Sequence, residues 1–182
     1  MEAAVMSDPQ VEIGNCVIRL VRGDITELEV DAFVFYAEPT LALGSGFGGM
    51  IHMRGGGAIQ KELNELAPVA PLEAVVSSGG RLNAEYIIHA VGPRFREDDI
   101  EKKLQLTMEN CLLRAQDKGV KTMAFPAMGA GYYGIPPAIS AHVMLNSLKS
   151  FLVQNPGLQE VTICVLDTPQ FKAFEAAFAA LN

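Results

Sequence analysis

Basic residues are scarce in this chain. Lysine and arginine number 14 against 21 aspartates and glutamates, a formal charge of −7 at pH 7. A protein that grips nucleic acid presents a basic face. No Lys/Arg cluster occurs, so nucleic acid is not an expected partner. Cysteine is equally thin. Cys16, Cys111 and Cys164 stand singly in apolar segments, without metal-ligand spacing, so they read as small buried hydrophobes and no metal is expected. Three unpaired thiols fit a reducing compartment, and a cytoplasmic location is expected. No apolar run reaches transmembrane length. Met1 to Gln10 carries Glu2 and Asp8 in place of a basic region followed by an apolar one, so neither a membrane nor a leader peptide is expected. Any phosphate this protein holds must be held mostly by something other than cations.

The 182 residues suit one domain with a real core, and 49% hydrophobic against 19% charged residues excludes wholesale disorder. No repeat or linker divides the chain. Short apolar runs alternate with helical periodicity, the signature of α/β layering. Strands are predicted at Val11–Ile13, Cys16–Val21, Ala32–Tyr36, Ala74–Ser77, Tyr86–Val91, Thr122–Phe125 and Val161–Leu166. Several are nearly continuous Val, Ile, Phe and Leu, as in strands covered on both faces.

Helices fall between them. In Ile100–Ala115 the apolar residues Ile100, Leu104, Met108, Cys111 and Ala115 step by three or four. Pro136 and Pro137 suit the first turn of a helix through Ile139, Val143, Leu148 and Phe151, ending before Pro156. Thr168 reads as an N-cap with Pro169 in the first turn of a last helix, striped by Phe171, Phe174, Phe178 and Leu181.

Two strand–loop–helix units are glycine-rich. The first passes through Gly44-Ser45-Gly46-Phe47-Gly48-Gly49 into Met50-Ile51-His52. The second runs Pro126-Ala127-Met128-Gly129-Ala130-Gly131-Tyr132-Tyr133-Gly134 into the helix at Pro136. Such loops let main-chain N–H groups approach a ligand closely, and a following helix N-terminus adds donors and a positive dipole end. A pair of them can grip a diphosphate without a cation. Neither is a Walker loop, because no Gly-Lys-Ser/Thr follows. The first matches G-x-G-x-x-G, but it follows a Pro39-containing stretch longer than the tight turn of a dinucleotide fold. No cofactor is expected.

Read in order, these segments resemble the macrodomain family. Arg22-Gly23-Asp24-Ile25-Thr26 is similar to its Gly-Asp-Ile-Thr signature, and Val30-Asp31-Ala32-Phe33-Val34 to the strand that follows. Ile51-His52 with Gly55-Gly56 resembles its Ile-His-x-x-Gly-Gly stretch. Tyr86-Ile87-Ile88-His89-Ala90-Val91-Gly92-Pro93 resembles its Tyr-Val-Ile-His-x-Val-Gly-Pro strand, and Pro126 to Pro136 its second loop.

The resemblance implies a three-layer α/β/α sandwich around a mixed, largely parallel sheet, with a cleft for ADP-ribose, free or on an ADP-ribosylated protein. On that basis Asp24 accepts from the adenine amino group and the Ile25 N–H meets a ring nitrogen. Phe171 stacks on the base. Gly46 and Phe47, with Gly129, Ala130, Gly131, Tyr132 and Tyr133, supply N–H groups to the phosphates, and Tyr133 lies near the distal ribose. Asp24 equally suits a turn cap, and Phe171 the core stripe of the last helix. His52, His89 and His142 read as structural or surface residues. Ser45 near His52 has no orienting acid and makes no nucleophile–base pair.

The chain departs from the family where hydrolysis is performed. The family's hydrolases carry Asn-Ala-Ala-Asn where this chain has Phe35-Tyr36-Ala37-Glu38. Their first loop carries an acidic residue where this chain has Gly48. Hydrolysis needs a positioned water and a group to orient or deprotonate it, and Gly48 does neither. The departures favour a reader of ADP-ribose over a hydrolase. Glu38 as a substitute base is the alternative, and a reshaped site for a shorter adenine nucleotide is a third reading.

Overall fold

The computed structural model describes residues 8–181; most of the N-terminal stretch read as lacking a leader pattern lies outside them. Seven strands form one sheet in the order β1-β2-β7-β6-β3-β5-β4. They are β1 (Gln10–Ile13), β2 (Cys16–Arg22), β3 (Ala32–Tyr36), β4 (Ala74–Ser78), β5 (Tyr86–Ala90), β6 (Thr122–Phe125) and β7 (Glu160–Val165). The pairings β2–β7, β7–β6, β6–β3 and β3–β5 are parallel, while the edge strands β1 and β4 pair antiparallel. The sheet is mixed and largely parallel, as the resemblance implied.

Helices cover both faces. On one side α3 (Ile100–Asp117), α4 (Pro137–Gln154) and α5 (Thr168–Leu181) bury Leu104, Met108, Cys111, Leu148, Phe174 and Phe178 against Ile18, Leu20, Val34 and Ile163. On the other, α1 (Gly46–Gly55) and α2 (Gly57–Leu66) bury Ile51, Ile59 and Leu63 against Phe33, Ile87 and Ala124. Successive residues of a strand point to opposite faces, so the doubly buried central strands read as unbroken apolar runs. No helix of the described residues is long and apolar enough to cross a membrane.

The structure corrects two local readings. The N-cap of α5 is Asp167, not Thr168: Asp167 Oδ1 accepts from the Gln170 N–H at 2.9 Å. Gln170 Oε1 reaches back to the Leu166 N–H at 3.1 Å, so Asp167-x-x-Gln170 works as a variant of the capping box. The second glycine loop itself contains a 3-10 turn, Gly131–Tyr133, and α4 begins only at Pro137 after Pro136. Two prolines in succession carry no N–H, so the start of α4 has fewer free donors than a helix N-terminus normally offers.

Candidate functional site

The carboxyl ends of β2, β7, β6 and β3 lie side by side, and a crevice of about 510 Å³ opens along them. Open α/β sheets place ligands at this end of their strands, and the size suits a small molecule. Both glycine loops line this one crevice.

One wall is the first loop with the start of α1. Ser45 is the N-cap of α1 but its side chain caps nothing. Gly46, Phe47 and Gly48 line the crevice, and their N–H groups have no acceptor within the helix. Gly48 is buried there, and a Cβ on it would fall within the backbone of Leu43. Leu43 cannot yield: its N–H donates to Gln60 Oε1 at 2.9 Å and its side chain is buried. Phe47 stacks on Phe35 with centroids 5.9 Å apart.

The opposite wall is the second loop. Ala127, Gly129, Ala130, Gly131, Tyr132 and Tyr133 line the crevice. Gly129 has φ +73°, and a Cβ there would meet the Ile135 side chain, so the loop's close turn requires glycine. Ser140 Oγ donates to the Met128 carbonyl at 2.9 Å and holds the loop against α4.

The two ends of the crevice differ chemically. The end at β2 and β7 is lined by Gly23, Ile25, Cys164, Leu166 and Gln170. Burial, with the nearby Asp24 charge, pushes the Cys164 thiol up to about 11, which leaves no thiolate nucleophile at neutral pH. The end at β3 carries Tyr36, Glu38 and Tyr133. Tyr36 donates to the Pro93 carbonyl and packs edge-on against Tyr133 at 4.6 Å. Burial, then the Glu38 carboxylate, raises the Tyr133 phenol to about 12, so it remains a proton donor. Arg94, just past β5, donates through one nitrogen to both Glu38 oxygens, each at 2.9 Å. Its guanidinium also lies over the rings of Tyr133 and Tyr132, 5.6 and 6.0 Å from their centroids.

Ile25, Glu38, Gly46, Phe47 and the residues from Gly129 to Tyr133 thus meet in one cavity, but Asp24 and Phe171 are not among its lining residues. Asp24 caps the 3-10 turn Ile25–Glu27: its Oδ1 accepts from the Thr26 N–H at 2.9 Å and the Thr26 hydroxyl at 2.6 Å. Its Oδ2 takes Arg54 Nη1 at 2.7 Å. Burial opposes ionisation of Asp24, but Thr26 and Arg54 outweigh it and hold the carboxyl below its ordinary range. Phe171 lines a second, shallower depression with Val21, Arg22 and Thr168, and packs against the core of its own face.

Three side chains at or beside the site were missed by sequence reasoning: Arg54, Arg94 and Gln170. Only Gln170 left a local trace, in the Asp167-x-x-Gln170 spacing. His89 is wholly buried, with Nε2 2.8 Å from Ser77 Oγ, and lies behind the crevice against the edge of Phe35. His52 and His142 are exposed. Among the described residues no group of three acidic, histidine or cysteine side chains is placed to hold a metal.

The fold and the crevice define an α/β/α domain with a ligand-sized, glycine-walled cleft across its parallel strands. The family model of the Macro domain matches residues 36–144, and the chain belongs to that family. It is 35% identical over 173 residues to an O-acetyl-ADP-ribose deacetylase of Enterobacter sp., covering 92% of each. A macrodomain of Oceanobacillus iheyensis solved with ADP superposes with a TM-score of 0.90 over 96% of both chains, at 24% identity. A Trypanosoma brucei macrodomain solved in complex with ADP-ribose superposes with a TM-score of 0.82 at 26% identity, over 87% of this chain and 68% of that one.

Proposed function

We propose that this chain binds ADP-ribose, free or attached to protein, as a reader and not as a hydrolase. The observation that carries this reading is that two glycine loops line one crevice whose end at β3 offers no free carboxylate. The sole carboxylate among the cavity's lining residues is Glu38, and both its oxygens are taken by Arg94. The position where the family's hydrolases carry an acid is Gly48, and Leu43 leaves no room for a side chain there.

Titration calorimetry with ADP-ribose tests the binding. Heat should be released, and Asp24→Ala, which removes the cap of the turn that brings Ile25 to the crevice, should weaken binding about tenfold, roughly 1.4 kcal/mol. Because amides and not cations face the phosphates, the affinity should change less than about threefold between roughly 0.05 and 0.5 M salt. No heat at millimolar ligand, or a steep salt slope, contradicts the reading.

Hydrolysis is the second reading, favoured by the name of the Enterobacter relative. Incubation with a mono-ADP-ribosylated protein separates the two. The expected result is no release of ADP-ribose above the buffer control. Turnover by the wild type that Glu38→Gln abolishes establishes the hydrolase with Glu38 as its base. Equal turnover by both places the chemistry elsewhere.

A further inference from the structure

The end of the crevice at β2 and β7 has a spare hydrogen-bond donor of its own. Gln170 lines the crevice and is only 8% exposed. Its Oε1 accepts from the Leu166 N–H at 3.1 Å, and an N–H there demands the oxygen, so the amide is fixed with Nε2 on the other side. Nε2 donates to nothing among the described residues. It is not sealed in either, because among those residues His89 Nδ1 is the sole fully enclosed side-chain polar atom without a partner. Buried donors are rarely left unmet, so this one calls for an acceptor on a ligand. Ile25 adds a second donor: it opens its 3-10 turn, and its N–H has no acceptor within that turn.

No free carboxylate accompanies these donors. Asp24, beside Ile25, is not a lining residue. Its Oδ1 already accepts twice from Thr26, and its Oδ2 takes Arg54. Arg54 Nη1 is held there by Thr26 Oγ1 at 2.9 Å and Glu27 at 3.3 Å. Purines differ at the edge that carries N7 and the 6-substituent. A 6-oxopurine presents two neighbouring acceptors, O6 and N7, whereas adenine presents one acceptor and an amino group. A pair of donors satisfies the first and leaves the amino group without a partner.

We propose that Gln170 reads the base, donating from Nε2 to an oxo group while the Ile25 N–H donates to N7. The site then takes a 6-oxopurine nucleoside diphosphate at least as readily as an adenine one. Asp24 holds the turn and does not read the amino group. This inference rests on the nucleotide reading above, with the base at the β2 and β7 end.

Calorimetry on the full chain with ADP and inosine diphosphate tests it, through the ratio of the inosine diphosphate to the ADP dissociation constant. The wild type should give a ratio of about one or below; a preference for ADP beyond about threefold overturns the proposal. Gln170→Glu keeps an oxygen for the Leu166 N–H and turns the donor into an acceptor. Its charge weakens both diphosphates alike and cancels in the ratio. The ratio should rise about tenfold or more, because the oxo group loses its donor and the adenine amino group gains an acceptor. Asp24→Asn keeps an oxygen for the Thr26 N–H and should leave the ratio within about threefold. A ratio that Gln170→Glu leaves unchanged, or that Asp24→Asn lowers by more than that, assigns the reading of the base to another group and overturns the proposal. A wild type that binds neither probe removes the nucleotide reading itself, and the base preference with it.

Discussion

Replacing Gly48 by aspartate is expected to break the first glycine loop and not to create a catalytic base. The substitution restores the residue type that the family's hydrolases carry, so the opposite outcome would be natural from sequence alone. In the structure a Cβ at position 48 runs into the Leu43 carbonyl. Leu43 is pinned by Gln60 through its N–H and by the core through its side chain. Overpacking of this kind costs about 1–3 kcal/mol, and an ionised carboxylate forced into the same buried space adds to it. A total loss of about 3–5 kcal/mol lowers the melting temperature by roughly 10 °C in a domain of this size. Binding of ADP-ribose should fall with it, because the N–H groups of residues 46–48 lose their alignment. At Gly49 a Cβ would lie 3.2 Å from the Gly44 carbonyl, so Gly49→Ala should be milder. Thermal melts and calorimetry on the three proteins check this; a Gly48→Asp protein that melts like the wild type refutes it.

The second large effect is acid lability from His89. Its ring is wholly buried, its Nδ1 has no hydrogen-bond partner, and burial depresses its pKa to about 3. The unfolded chain protonates the same ring near 6.5. Between these values the unfolded state binds more protons than the folded one, so stability is intact above about pH 6.5 and declines as the pH falls toward 3. At roughly 1.4 kcal/mol per unit, the drop from pH 7 to pH 4 approaches about 3 kcal/mol. Asp24 and Glu97, whose folded pKa values are also lowered, act in the same direction further down the scale. Urea unfolding at pH 7 and pH 4.5 should show the loss, and His89→Gln should be less stable at pH 7 yet less sensitive to acid. An unchanged pH dependence in that variant assigns the lability to the carboxylates.

Most of the sheet was legible because its signal is local. All seven strands lie within a residue or so of their predicted limits, since buried runs such as Ala32–Tyr36 and Thr122–Phe125 announce themselves by composition. Helix α2 went unread: it begins within Gly55-Gly56-Gly57, which look like loop, and only Ile59 and Leu63 of it are buried. The glycine loops were visible as glycine. What they enclose was not, because Arg94 meets Glu38 only through the adjacency of β3 and β5, and Arg54 meets Asp24 across 30 residues. Arg54 falls at an unspecified position of the Ile51–Gly56 stretch and Arg94 just past the one that ends at Pro93, so no motif marks either. Asp24 also suits a turn cap, and the structure shows that cap through Oδ1, while Oδ2 is committed to Arg54.

The crevice is a seam between two separately packed halves. Phe35 and Tyr36 are neighbours on β3 but face opposite ways, the former joining Phe47 and the α1–α2 layer, the latter Tyr133 and the layer of α3, α4 and α5. One jaw is therefore rooted on each side of the sheet. A molecule that bridges the jaws ties the two layers together, whereas a change to one jaw, such as a lost acid at position 48, leaves the anchorage of the other intact. Natural variation can thus retune the reactive end of the cleft without disturbing the hold on the rest of the ligand.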